Sequence, residues 1–129
     1  MFNKTLCSVT IDVKLFTTIY ENIILPVCTI NTQSLDGSTQ VVLEYVLPDK
    51  FYLDSSEILI IKSLNNLERL KLINIQMDRS YTHTDNYLPI KNGHRVQKYK
   101  QELREKFNLT DGVISKTELG KDFFNVCCK

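Results

Sequence analysis

Two histidines and a lysine fall within one polar stretch of the sequence. His83 and His94 lie eleven positions apart, with Lys91 between them. Such a set cleaves a phosphodiester when one histidine acts as base, the other acts as acid, and the lysine stabilises the charged transition state. Nothing in the spacing requires the three side chains to converge. They are therefore weak catalytic candidates for a small phosphodiesterase or nuclease, and no catalytic residue is assigned.

The same stretch begins a strongly basic part of the chain. Residues 79–106 hold seven basic and three acidic residues, although the whole protein carries a net charge of only +1. An apolar residue every three or four positions predicts an amphipathic helix over 94–107. Its cations would contact phosphates or an acidic protein surface, or would simply face solvent, and we favour solvent. The candidate binding residues on this helix are Arg95, Lys98, Lys100 and Arg104.

Aromatic residues near this segment indicate a second kind of binding. Tyr81 and Tyr87 are candidate binding residues, because aromatic rings stack on the bases of single-stranded nucleic acid. Phe51 and Tyr52 would add to the platform in this hypothesis. Against it, the first three predicted strands carry few basic residues. The cations that would follow the phosphate backbone are Arg79, Lys91 and Arg95.

Metal and cofactor sites are not predicted. The cysteines and histidines lack the paired spacing of structural zinc sites. Residues 111–119 resemble the second half of a calcium-binding loop, but the first and third ligand positions would be Phe107 and Leu109, which offer no side-chain oxygen. No Gly-rich phosphate loop is present among the four glycines. We expect no metal and no cofactor.

Composition and the cysteines suggest a compartment. Alanine and tryptophan are absent while lysine is plentiful, which suggests an AT-rich genome, such as that of a virus, a phage or an AT-rich microbe. The N-terminus lacks the apolar run of a signal peptide, and no stretch reaches the length of a membrane span. We therefore expect an intracellular, cytoplasmic or nuclear protein with reduced thiols. Cys7 and Cys28 should be buried, whereas Cys127 and Cys128 should react first.

The first part of the chain predicts a β-meander over 6–47. Residues 8–15 alternate between polar and apolar, as a half-buried strand does. A second strand over 23–32 contains Pro26, which implies a sheet edge or a bulge. The Asp-Gly pair at 36–37 predicts the turn into a third strand over 39–47. The lack of alanine, the strongest helix former, also favours sheet here.

The rest of the chain is more mixed. Within 54–78, a capping box at Asp54 and Glu57 favours a helix over about 55–66, followed by a strand over 69–77, although two strands remain an alternative. Residues 78–93 are predicted to form an irregular loop before the basic helix. The tail, 108–129, has a turn at Gly112 and a short helix over about 115–124.

These elements predict a single α+β domain over 1–129. It would contain mainly antiparallel sheet, or a small partly open barrel, with one internal helix and a C-terminal helix. An OB-like barrel needs a fifth strand near 86–91. The favoured function is that of a non-enzymatic interaction protein, such as a viral or phage accessory protein acting on a protein partner. The alternatives are an OB-like module for single-stranded nucleic acid and the nuclease; the oligomeric state is open.

Overall fold

A computed structural model describes residues 2–52 and 55–127, and the side chains from residue 12 onward. Asp54, Cys128 and the side chain of Cys7 lie outside the described part. Three short 3-10 turns accompany the main elements, at Asp49–Phe51, Thr84–Tyr87 and Arg104–Lys106. The main elements are α1 (Phe2–Glu21), β1 (Pro26–Gln33), β2 (Thr39–Val46), α2 (Glu57–Arg69), β3 (Ile73–Gln76), α3 (Leu88–Lys91), α4 (His94–Leu103), β4 (Phe107–Lys116) and α5 (Glu118–Cys127).

The α+β class is confirmed, but helices are more numerous than predicted. The strand predicted over 8–15 is wrong, because these residues belong to the 20-residue helix α1. Val13 and Leu15 should share one strand face, yet Val13 is half exposed and Leu15 is fully buried. The buried positions of α1 are Leu15, Phe16, Ile19 and Tyr20, which is helical spacing.

Four strands form one sheet in the order β2-β1-β4-β3, and β1 pairs antiparallel with both β2 and β4. The predicted turn at Asp36-Gly37 is present, with Gly37 at φ +88°. Pro26 was expected at an edge or bulge, but β1 is central. Pro26 is tolerated there because it is the first residue of the strand.

The edge strand β2 is irregular. Its register against β1 shifts twice, so that extra residues are inserted between Val41 and Val46. Tyr45 takes a positive φ of 53°, which is uncommon for a residue with a side chain. Bulges twist an edge strand and hinder pairing with another chain. The sheet edge at β2 is therefore a poor docking place for a partner strand.

The described residues of this segment, 55–78, follow the favoured prediction of a helix and then a strand. Ser56 caps α2, since its Oγ accepts a hydrogen bond from the Leu59 backbone N–H at 3.3 Å, and β3 follows. The fifth strand required for an OB-like barrel is absent from the described chain, because residues 84–91 form a 3-10 turn and α3. The described chain therefore does not form a five-stranded OB barrel, whereas the predicted antiparallel sheet is present.

The basic helix is shorter than predicted. α4 ends at Leu103, since Arg104 adopts φ 52° and ψ −118°, which no α-helix accommodates. Phe107 then begins β4. The turn predicted at Gly112 is also wrong: Gly112 lies within β4 opposite Val27. A Cβ at position 112 would collide with the Met77 side chain, so glycine permits close packing rather than a turn.

The described chain divides into two compact units, each assembled from separated segments. The helical unit comprises the described residues of 1–25, 51–75 and 114–129, and the sheet unit comprises residues 26–50 and 76–113. The proposal of one domain over 1–129 stays a prediction. The core of the sheet unit consists of Cys28, Ile30, Val46, Tyr87, Ile90 and Val96.

Candidate functional site

The first turn of α4 brings two predicted residues to one carboxylate. Asp49 accepts a hydrogen bond from Arg95 Nη1 at 2.7 Å, and His94 Nδ1 lies 3.6 Å from its other oxygen. The Arg95 side chain is only 14% exposed, whereas the His94 side chain is 75% exposed. Arg95 therefore ties the start of α4 to the turn that contains Asp49, and His94 lies at the surface beside the pair.

In the described part of the chain, His83 and His94 contact different residues. His83 precedes the 3-10 turn at 84–87, where its carbonyl accepts a hydrogen bond from the Asn86 N–H. Lys91 contacts Asp111 rather than either histidine, at 3.9 Å. The three candidates for acid–base chemistry are thus distributed over different partners, and the nuclease hypothesis gains no support from their placement.

A second polar cluster surrounds Asp111 on β4. The buried Cys28 thiol donates a hydrogen bond to Asp111 Oδ1 at 3.4 Å, and Lys91 approaches the other oxygen. Burial, and next the negative charge of Asp111, raise the pKa of the Cys28 thiol far above its usual range. A thiol that stays protonated is a poor nucleophile. The burial predicted for Cys28 is confirmed, and Cys127 is exposed.

The tyrosines predicted to stack on bases belong largely to the core. Tyr87 is fully buried; its hydroxyl donates to the Gly112 carbonyl and accepts from the Tyr81 N–H, both at 2.9 Å. Phe51 and Tyr52 are also buried. These three rings cannot serve as exposed stacking platforms, because no face is open to a base. Tyr81 is half buried, with its ring centroid 6.0 Å from that of Tyr87.

The cations of the basic helix do not form one stripe. Lys98 and Lys100 are both exposed, but residues two apart on a helix point to different sides. Lys98 lies over the Tyr99 ring at 5.7 Å, and Arg104 follows the end of the helix. This distribution fits a solvated face better than a track for phosphates.

We expect the combined substitution of Lys98, Lys100 and Arg104 by glutamine to leave folding nearly unchanged, because exposed charges contribute about 0–1 kcal/mol each. Affinity for single-stranded DNA, measured by fluorescence anisotropy at several salt concentrations, should not change. A uniform loss of affinity and a smaller salt slope in the variant would instead show that this helix grips phosphates.

The feature that sequence analysis missed is an apolar groove in the helical unit. It has a volume of about 200 Å³, and its walls come from α1, α2, the turn after α2, and α5. Val13, Leu70 and Phe123 line it and are each nearly half exposed. The lining residues are Asp12, Val13, Phe16, Asn66, Leu67, Leu70, Leu72 and Phe123.

An exposed stripe on α5 extends this groove. Leu119, Phe123 and Val126 are 55%, 44% and 81% exposed and occur at i, i+4 and i+7. Phe123 is anchored on its inner side, where its ring packs edge-on against Phe16 at 5.7 Å. The sequence of the tail already shows the helical spacing of these three residues. It does not show the groove beside them, because α1 and α2 supply most of the groove walls.

Polar contacts frame the groove at one end. Asn66 Nδ2 donates to Asp12 Oδ2 at 2.8 Å, and Arg69 Nη2 donates to Asn66 Oδ1 at 2.5 Å. The first of these hydrogen bonds joins α2 to α1 beside the groove, and the second holds the Asn66 amide in place within α2. The groove is therefore preformed, and its apolar surface is available without rearrangement of this end.

Neither a membrane-crossing helix nor a metal-binding cluster is found among the described residues. No helix in the ranges 2–52 and 55–127 is both long and apolar enough to cross a membrane. Within the same ranges, no group of three or more His, Cys, Asp or Glu side chains is placed to hold a metal ion.

Comparison with known proteins gives a family and a fold. A family model described as "Abortive infection alpha" matches residues 9–127. Comparison with curated proteins gave no match. Among solved structures, an uncharacterized protein from the marine bacterium Alcanivorax borkumensis SK2 is similar, with a TM-score of 0.53 and 14% identity over 92% of this chain and 85% of that chain. At this identity the likeness concerns the fold alone.

Proposed function

Because the chain belongs to the abortive infection alpha family, we propose that it acts in defence against phage, as a non-enzymatic protein that binds a partner protein. The family name supports the link to phage that the composition suggested. It indicates a protein that acts for the infected cell, so a phage accessory role is not proposed. The expectation of an intracellular site of action, cytoplasmic or nuclear, is kept as part of this proposal.

The observation that carries the proposal is the apolar groove with its α5 stripe. Large apolar side chains that are exposed together, rather than singly, mark interaction sites. The groove volume of about 200 Å³ suits one large side chain, since apolar cavities of about 150 Å³ hold a benzene ring. Such a pocket beside a helical stripe matches the docking of an amphipathic helix, which offers anchors at helical spacing.

Charge along the stripe favours a basic partner helix. Glu118 and Asp122 lie four residues apart on α5, in one row with Val126, the last residue of the stripe. Two carboxylates therefore border the stripe. Asp12 adds a third carboxylate at the groove, while Lys121 lies 3.4 Å from Glu118. We assign the groove to an amphipathic helix of a partner protein with Lys or Arg flanking its apolar face.

Binding is tested directly with two synthetic helical peptides that share one leucine pattern but carry either lysine or glutamate flanks. We expect the lysine peptide to bind at least tenfold more tightly in a calorimetric titration. The double variant Leu119→Ser, Val126→Ser should weaken it at least tenfold, since hot-spot truncations exceed about 1.4 kcal/mol. Ile58→Ser is the matched control, because Ile58 is 65% exposed on α2 but does not line the groove.

Equal binding of both peptides, or equal loss in the Ile58→Ser control, would contradict the assignment. The role in defence is tested separately by plaque counts in bacteria that express the chain. The wild type and a His83→Ala, His94→Ala variant should both reduce plaques, whereas the stripe variant should not. Loss of protection in the histidine variant would favour an enzyme. Sedimentation of the purified protein reports whether a second copy occupies the groove instead.

A further inference from the structure

Two lysines of the helical unit line one cavity on the other side of α5. Lys116, at the end of β4, and Lys121, on α5, border a cavity of about 310 Å³ together with Tyr20, Phe124 and Asn125. This volume falls at the lower end of the range for small-molecule sites. None of these five residues lines the apolar groove, so the two sites are separate.

The position of Lys116 is fixed by uncharged groups. Its Nζ donates to the Tyr20 backbone carbonyl at 3.2 Å and lies 5.4 Å from the centre of the Tyr20 ring. Burial, and next the positive charge of Lys121, lower the pKa of Lys116. Lys121 lies 3.4 Å from Glu118, but both side chains are more than half exposed, so solvent screens that pair. Two like charges therefore border one cavity, and an anion between them would relieve their repulsion.

The other walls add the half-buried Phe124 ring and a further donor. The Tyr20 and Phe124 rings are nearly parallel, with centroids 5.4 Å apart and an interplanar angle of 19°. The Tyr20 hydroxyl is already engaged, because it donates to the Leu72 carbonyl at 2.6 Å. The side-chain groups left to meet a ligand are two ammonium groups and the Asn125 amide. Such a cavity suits an acceptor-rich anion attached to a planar ring.

We propose that this cavity binds a small phosphate monoester carried on a ring, of the size of a nucleoside monophosphate. The phosphate would lie between Lys116 and Lys121, because a dianion compensates both ammonium groups. The ring would lie against Phe124, because Phe16 and Phe124 already pack against the Tyr20 ring. This inference goes beyond the proposed partner binding and does not depend on the groove.

The test is a calorimetric titration of the full chain with three probes: adenosine monophosphate, adenosine and inorganic phosphate. Adenosine monophosphate should bind at least tenfold more tightly than either of the other two, since only it satisfies both the ring and the lysines. Lys116→Gln and Lys121→Gln should each weaken it about tenfold. Lys62→Gln, an exposed lysine on α2 outside the cavity, is the matched control for loss of one positive charge.

Dependence on pH gives an independent readout. Affinity should rise between about pH 5 and 7, because a phosphate monoester gains its second negative charge near pH 6. We expect Lys121→Gln to fold like the wild type, because the Lys121 side chain is 51% exposed. This variant therefore tests binding rather than stability. Adenosine binding as tightly as adenosine monophosphate, an equal loss in Lys62→Gln, or no binding at millimolar concentration would each overturn the proposal.

Discussion

Gly120→Ala is expected to destabilise the protein by about 1–5 kcal/mol, although alanine is the better helix former by about 1 kcal/mol. Gly120 is buried in α5, and a Cβ there would collide with the Tyr20 hydroxyl and the Leu72 carbonyl. These are the two partners of a buried 2.6 Å hydrogen bond. Overpacking costs about 1–3 kcal/mol and an unsatisfied buried pair costs a similar amount.

The Tyr20 ring has little freedom to move away from the new methyl group. It packs against Phe16 at 4.5 Å and against Phe124 at 5.4 Å between ring centroids. The collision must therefore be resolved by a shift of α5 or by loss of the hydrogen bond. Either change disturbs the walls of the groove and of the lysine cavity.

Thermal unfolding followed by circular dichroism measures this effect, with an expected fall of roughly 10 °C in the midpoint. Leu119→Ala is the control on the same helix, because Leu119 is 55% exposed and its truncation should change the midpoint little. A Gly120→Ala protein that melts at or above the wild-type temperature would show that helix propensity outweighs the collision.

Tyr87→Ala is expected to reduce the free energy of unfolding by about 3–5 kcal/mol, since it empties the centre of the sheet-unit core. Tyr87→Phe isolates the hydroxyl. It leaves the Gly112 carbonyl and the Tyr81 N–H without this partner, and we expect a loss of about 1–3 kcal/mol. Urea denaturation at neutral pH measures both variants. Tyr99→Phe is the control, because Tyr99 is half buried and surface-proximal changes stay within about 0.5 kcal/mol.

Alkaline pH gives a second test of the Tyr87 hydroxyl. Burial raises the pKa of Tyr87 above its ordinary value of 10.0, so the folded protein holds this proton more tightly than the unfolded chain. The resulting stability is present below about pH 10 and is lost as pH rises towards the folded pKa. Tyr87→Phe should therefore lose less stability than the wild type between pH 9 and 11. Identical alkaline profiles would show that Tyr87 does not titrate on unfolding.

Sequence patterns settled the elements in which one face is clearly apolar or the turn chemistry is specific. The Asp36-Gly37 turn with its two strands, α2 followed by β3, and the core-facing positions of α4 were all predicted. The alternation of polar and apolar residues over 8–15 wrongly predicted a strand, because so short a period-two pattern also occurs on a helix. The burial of Leu15, Phe16 and Ile19 against other elements decided for helix.

The chain by itself determined local structure and the class of fold, because amphipathic periodicity and turn residues act within a few positions. Tertiary structure decided which side chains meet. Tyr20 bonds Leu72, Lys116 reaches Tyr20, and Cys28 bonds Asp111 across 52, 96 and 83 positions. No local pattern encodes such pairs, since they depend on how strands and helices from distant segments pack. That packing forms the apolar groove and the lysine cavity. It also buries Tyr87 and places His83 and His94 against different residues.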